Sequence, residues 1–213
     1  MANPVQSSGK QKTITAGTTH TYTAGANFTV GNWVVVTCTL SDANSTGMTI
    51  AGRTWTGGQL EQWPWFGTYV AIVAKEVLSS GQNTVNFNWS SGSANAVTFS
   101  VEEWSGITAF DLHPTDGTTS VSSGTLAQAD EVVYALGCIN GGGASTGPSS
   151  GYTQTWNDDG TGGYKDGTAG YKVVTTTASE TATFGSTDWC GMATFRYTPP
   201  AGGSTATTAW ITA

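Results

Sequence analysis

The sequence predicts an all-β protein: a single antiparallel β-sandwich, jelly-roll-like, built from two pseudo-symmetric halves and carrying flexible N- and C-terminal arms. Three observations predict it. Apolar and polar residues alternate with period two along most of the chain, no segment sustains a capped helical stripe, and a set of landmarks in the first half returns in order in the second.

Taken in order, residues 1 to about 25 read as an arm, with a short strand at "TYTA". "WVVVTCTL" places Val34, Val36, Cys38 and Leu40 on one strand face, and "EVVYALGC" does the same for Val132, Tyr134, Leu136 and Cys138. Further strands are expected at "MTIAG", "YVAIVAKEV", "TVNFNW", "AVTFSVEEW", "TSVSS", "YTQTW", "GYKVV", "TATFG" and "GMATFRY". Gly, Ser, Asn and Asp clusters between them suit tight turns. Residues 200–213, "PAGGSTATTAWITA", form a tail whose apolar anchors are Trp210 and Ile211.

The repeat spans about 28–106 and 126–199 within a sandwich of 26–199. In the text, Asn32-Trp33-Val34-Val35 lines up with Asp130-Glu131-Val132-Val133, and Gly52-Arg53-Thr54 with Gly151-Tyr152-Thr153. Glu76-Val77 lines up with Lys172-Val173, and Trp104-Ser105-Gly106 with Tyr197-Thr198-Pro199. The offsets run 98, 99, 96 and 93. A half with about five strands leaves one apolar sheet face open, so pairing the halves face to face would bury both and put Val34, Val36, Val132 and Tyr134 in one core. The join at 107–128 keeps Phe110, Leu112 and Val121 available to pack, unlike a plain linker.

These ordered phrases resemble a β-sandwich module common in uncharacterised bacteriophage virion structural proteins and in some bacterial surface proteins. They are the "GNWVVV" and "ADEVVY" strand starts, the Gly-x-Thr turn, the Lys-Val pair with its Ser/Thr turn, and the strand ends "EWSG" and "RYTP". The resemblance covers roughly residues 28–199 and departs where the module has Gly-Trp-Thr, since this chain has "IAGRTW" and "SSGYTQ". It implies a fold and a structural role, and it brings no catalytic residue.

Composition narrows the role. Of 213 residues, 38% are hydrophobic, with nine Trp, seven Tyr and seven Phe, enough for a sizeable core. Charged residues are only 10%, against roughly 25% in typical soluble domains. The net charge of −7 and a single close cation pair, Lys10 and Lys12, argue against a nucleic-acid partner. No apolar run is long enough for a membrane helix, and the opening residues have no apolar core of a secretory signal, so neither membrane nor export is expected. Cys38, Cys138 and Cys190 sit in apolar strand text and read as buried thiols.

Catalytic constellations are weak. "GPSSG" (Gly147 to Gly151) matches a nucleophile elbow in letters, but no strand-then-helix context surrounds it, and a turn is the better reading. Glu102 and Glu103 are neighbours on a strand, so their side chains point to opposite faces and cannot flank one glycosidic bond. Asn157, Asp158, Asp159 and Asp166 offer dense oxygen ligands for Ca²⁺, although a solvated turn explains them as well and the closing Glu of an EF-hand is missing. In "EQWPWFG", Pro64 excludes a central strand, so Trp63, Trp65 and Phe66 belong to a loop or edge. They could cap an open end of the core, form an assembly interface together with Trp210, or stack on sugars.

The expectation is a non-enzymatic phage virion structural protein without a cofactor, a capsid decoration or cement subunit or a tail or fibre appendage. Its partners would be other virion proteins, as a homo-oligomer or a capsid lattice. The alternative is a carbohydrate-binding module or adhesin using the Trp-rich stretch on a host surface glycan.

Overall fold

The computed structural model describes residues 3–13, 18–41, 48–51, 59–65, 68–89, 96–111, 114–116, 119–139, 145–149, 151–158 and 166–199. These residues contain no helix. Their strands are β1 (Gln6–Ser7), β2 (Gln11–Thr13), β3 (Thr19–Thr23), β4 (Trp33–Ser41), β5 (Met48–Ala51), β6 (Gln59–Trp65), β7 (Thr68–Glu76), β8 (Thr84–Trp89) and β9 (Ala96–Trp104). There follow β10 (Ile107–Phe110), β11 (Thr115–Asp116), β12 (Ser120–Ser122), β13 (Glu131–Ile139), β14 (Thr153–Asp158), β15 (Asp166–Val174), β16 (Thr181–Thr183) and β17 (Trp189–Tyr197). Val, Ile, Thr and aromatic residues dominate the long strands, as side chains that pack well on a pleated surface should.

Two large sheets take up the chain in the same order. The first runs β1-β9-β4-β7-β6, with β2 continuing the β1 edge along β9. The second runs β10-β17-β13-β15-β14, with β11 continuing the β10 edge along β17. Each has a small companion, β3-β8-β5 for the first and β12-β16 for the second. Every ladder is antiparallel.

Three apolar clusters show how the sheets stack. Val34, Val36, Cys38, Leu40, Phe99 and Val101 meet Val85 and Phe87 of β8 between the first large sheet and its companion. Val133, Ala135, Cys190 and Met192 meet Val121, Ala182 and Phe184 between the second and its companion. The remaining faces of the two large sheets meet each other, joining Val35, Val70, Ile72 and Trp104 to Tyr134, Leu136, Trp156, Tyr171 and Phe195. Complete burial of one such side chain contributes roughly 1.5–3 kcal/mol. The three cysteines are buried free thiols.

Three expectations need correction. Val34 and Val36 do not share a core with Val132 and Tyr134: they lie in separate clusters, because each large sheet covers its own companion with one face and the opposite sheet with the other. The reason is register. The ladder pairs Val34 with Glu103 and Glu131 with Arg196, so once Glu103 is set against Arg196, as in the text, Val34 falls opposite Glu131, 97 positions on, rather than Val132. The text alignment at 98 is one residue out, and one residue exchanges the two faces of a strand. With Glu103 set against Arg196, 93 positions apart, the same ladders set Lys75 against Val174, 99 positions on. The Gly52-Arg53-Thr54 landmark lies outside the described residues.

The N-terminal arm is likewise not free within the described residues. β1 and β2 supply the outer edge of the first large sheet, and β3 pairs with β8. An edge of β9 left open would expose unpaired N–H and C=O groups, and the preceding segment covers it. The join at 107–128 does the same for the second sheet through β10 and β11, with Phe110 packed on the inter-sheet cluster and Val121 buried. Leu112 lies outside the described residues, as do the tail 200–213 and with it Trp210.

Candidate functional site

The polar residues with most chemistry lie between the two large sheets. On the first sheet the face turned to the second carries Thr37, Thr39, Thr98, Ser100 and Glu102, all buried. Ladder matching sets these opposite in kind to Tyr134, Leu136, Gly191, Ala193 and Phe195 on the second sheet. A band of polar residues within an otherwise apolar interface is therefore buried here, and its donors and acceptors must be satisfied by side chains reaching in.

One of these is Trp156. A register shift between Gln154 and Trp156 bends β14 and aims the indole inward. Gly167, its neighbour on β15, leaves the necessary room: a Cβ there would sit 2.9 Å from the Trp156 ring and 3.0 Å from Thr39 Cγ2. Trp156 Nε1 donates to Thr37 Oγ1 at 2.8 Å, Thr37 and Ser100 hydroxyls are 2.9 Å apart, and Ser100 Oγ donates to Glu102 Oε2 at 3.2 Å. Ser7 Oγ of β1 reaches the other Glu102 oxygen at 3.3 Å. The hydroxyl chain thus runs from the second sheet to a carboxyl sealed under the N-terminal segment.

Burial raises the Glu102 carboxyl pKa to about 8, because the bonds from Ser100 and Ser7 compensate only in part. The group is fully buried, so it reaches no substrate. Trp104 Nε1 donates to Tyr134 Oη at 2.7 Å close by, and the same cluster pushes the Tyr134 phenol well up, chiefly through burial. Glu103 faces the other way and is also buried: it accepts from Gln6 Nε2, from the Thr29 backbone N–H at 2.8 Å and from Asn32 Nδ2 at 2.6 Å. It ties the turn before β4 to β1.

The acidic stretch resolves differently from a cation loop. Asp158 is buried and accepts from Lys12 Nζ at 2.7 Å and Thr98 Oγ1 at 2.8 Å, with Lys10 Nζ 3.6 Å away. Burial by itself would raise its carboxyl pKa, but the Lys12 and Thr98 hydrogen bonds and the two ammonium charges outweigh it and hold the carboxyl below its ordinary range. Lys10 also donates to the Asn157 carbonyl at 3.0 Å. Asp166 is buried and pairs with Ile139 in the ladder. Asp159 lies outside the described residues, among which no group of three or more His, Cys, Asp or Glu is placed to hold a metal.

Pro64 lies in β6, the outermost strand of its sheet, where a residue without an N–H costs no ladder bond. Trp63 pairs with Val70, as Trp156 pairs with Ala169, and Val70 matches Ala169 between the sheets. Trp63 therefore occupies the register position of Trp156. Trp65 pairs with Thr68, and Phe66 lies outside the described residues. Ser149 of "GPSSG" accepts from the Thr183 N–H at 3.1 Å, and the next regular element is a strand, not a helix.

No protein-family model, curated protein or solved structure matches this chain.

Proposed function

We propose that this protein is a non-enzymatic structural component of a bacteriophage particle, a capsid decoration or surface appendage subunit. The supporting observation is how the polar chemistry is spent. Asp158 with Lys10 and Lys12, and Trp156 through Thr37 and Ser100 to Glu102, all join one large sheet to the other. Such a molecule acts by shape. Its stiffness comes from inter-sheet contacts that a binding cleft or active site would have to break.

In this reading the two large sheets with their companions descend from one duplicated unit, with β10 and β11 standing where β1 and β2 stand. Trp63 shares the register position of Trp156, and Trp65, Phe66 and Trp210 are left to meet neighbouring subunits in an oligomer or capsid lattice. Pro64 on an outer strand discourages random edge-to-edge pairing and leaves assembly to side chains.

The test is location. Antibody raised against the chain, applied to gradient-purified particles from the source culture, should label them, and the protein should co-sediment after a salt wash. Recovery solely in the particle-free fraction of the lysate would overturn the assignment.

A further inference from the structure

Along one side of the first lobe, β1 and β2 and the outer strand β3 stand apart. Two adjoining cavities of about 280 Å³ each occupy the gap. One is lined by Gln6, Ser7, Ser8, Ala24 and Phe28, the other by Gln11, Lys12, Thr13, His20 and Phe99, and Tyr22 belongs to both. They form one groove with Tyr22 at its middle.

We propose that this groove binds a neutral oligosaccharide, with sugar rings stacked on Tyr22 and His20 and hydroxyls bonded by the amides and hydroxyls of β1 and β2. Three observations carry it. First, the floor is aromatic and pre-set. Tyr22 stands edge-on to Phe99 at 5.5 Å, while His20 lies 6.1 Å from Phe87 and 5.8 Å from Phe99. Both outer rings are half-buried, Tyr22 packs on the apolar cluster, and its side chain hydrogen-bonds Ser8 across the gap. Rings held this way lose little freedom when a ligand stacks on them.

Second, the walls are neutral. On the Phe99 face of β2, Gln11 and Thr13 offer amide and hydroxyl groups, the side chains of Gln6, Ser7 and Thr21 are turned to Glu103, Glu102 and Asn86, no carboxylate stands among the described lining residues, and Lys12 is paired with Asp158. Burial lowers the His20 pKa, which favours the uncharged ring at neutral pH. A lining of aromatic faces and uncharged hydrogen-bonding groups suits a polyhydroxylated ligand better than an anion or a cation.

Third, the corresponding side of the second lobe is packed by its companion strand. There β12 lies against β11 and β17, and Val121 is buried among Cys190 and Met192. The same order of strands can therefore close this side, and the first lobe keeps it open. Apolar burial would favour closure.

The site lies apart from the contacts that support the particle assignment and stands or falls without it. The test uses the full chain labelled with ¹⁵N and titrated with maltohexaose, cellohexaose and chitohexaose, after a glycan-array screen. At least one neutral glycan should shift the amide signals of residues 6–13 and 20–26. Tyr22→Ala should weaken that binding at least tenfold and Tyr22→Phe less than about threefold. If Tyr22→Ala no longer melts cooperatively, Gln11→Trp decides. Gln11 pairs with Phe99 at the groove's edge, so a large ring there should block the ligand and leave the fold intact. The proposal fails if no neutral glycan moves these signals at millimolar concentration, or if Gln11→Trp binds as the parent does. It also fails if the groove instead takes extended peptides that pair with β3.

Discussion

The two large sheets use the same strand order for opposite surface chemistry. Where they meet, the first presents Thr37, Thr39, Thr98, Ser100 and Glu102, and the second presents Tyr134, Leu136, Gly191, Ala193 and Phe195 at the matching positions. The strand order needs only alternation and an edge supplied by the preceding segment, so the identity of the buried face is free to differ. That freedom has a cost, because a buried hydroxyl or carboxyl without a partner is worth roughly 1–3 kcal/mol of instability. The first sheet offsets it by drawing in Trp156 from the second sheet and Ser7 from β1, while Lys12 partners the Asp158 that bonds Thr98. Asp158 of the second sheet is such a group too, and it draws its partners Lys12 and Thr98 from the first.

The comparison breaks most readily at Trp156. Trp156→Ala removes a buried ring and leaves Thr37 without its donor, so chemical denaturation should show a loss of about 3–5 kcal/mol. Trp63→Ala sharpens the comparison. If Trp63 takes the same inward role, its loss should fall within about 1 kcal/mol of the Trp156 value by the same measurement, scaled by the same cavity cost. A variant as stable as the parent would return Trp63 to the surface and to the assembly interface.

Glu102 gives a pH-dependent difference between the sheets. Its pKa is raised in the folded chain, so the folded state holds this proton more tightly than the unfolded one. Stability therefore falls as pH rises between the ordinary carboxyl range and about 8. Glu102→Gln should flatten that slope and leave the variant roughly 2–4 kcal/mol more stable than the parent at pH 8.5, read from denaturant midpoints. Asp158 has the opposite sign: its lowered pKa contributes stability above the ordinary Asp range, and this is lost as pH falls through the folded value.

Lys12→Ala carries a smaller effect, about 1–3 kcal/mol, since Lys10 remains near the buried carboxylate. Its signature is local: amide exchange in β1 and β2 should quicken, while β10 and β11 keep their protection. Equal protection in both edges would show that the N-terminal segment holds without the Asp158 ion pair.

Much of the fold was legible in the letters because period-two alternation is a local property. "WVVVTCTL" and "EVVYALGC" name the members of each face correctly, and Pro64 marks an outer strand through its missing N–H. The short pieces β1, β2, β10 and β11 were not legible. The two or three residues of β1, β2 and β11 and the four of β10 are too few to show a period, and they become strands because an adjacent edge offers them hydrogen bonds. The groove was half legible: "THTYT" puts His20 and Tyr22 on one face, but nothing in the text says that β3 stands away from β2.

By itself, the sequence determined that this chain makes β-strands without helices and which residues share a strand face. Only the tertiary structure decided which face of each strand meets its own companion and which meets the other sheet. A one-residue change of register exchanges those faces without altering the alternation, so the text at offset 98 reads as well as the ladder at 97. The same holds for Asp158. Its four-oxygen neighbourhood in sequence suggests a cation loop, and only the approach of β2 from more than 140 residues away turns it into an ion-pair anchor, because partners for a buried charge are chosen by distance in space.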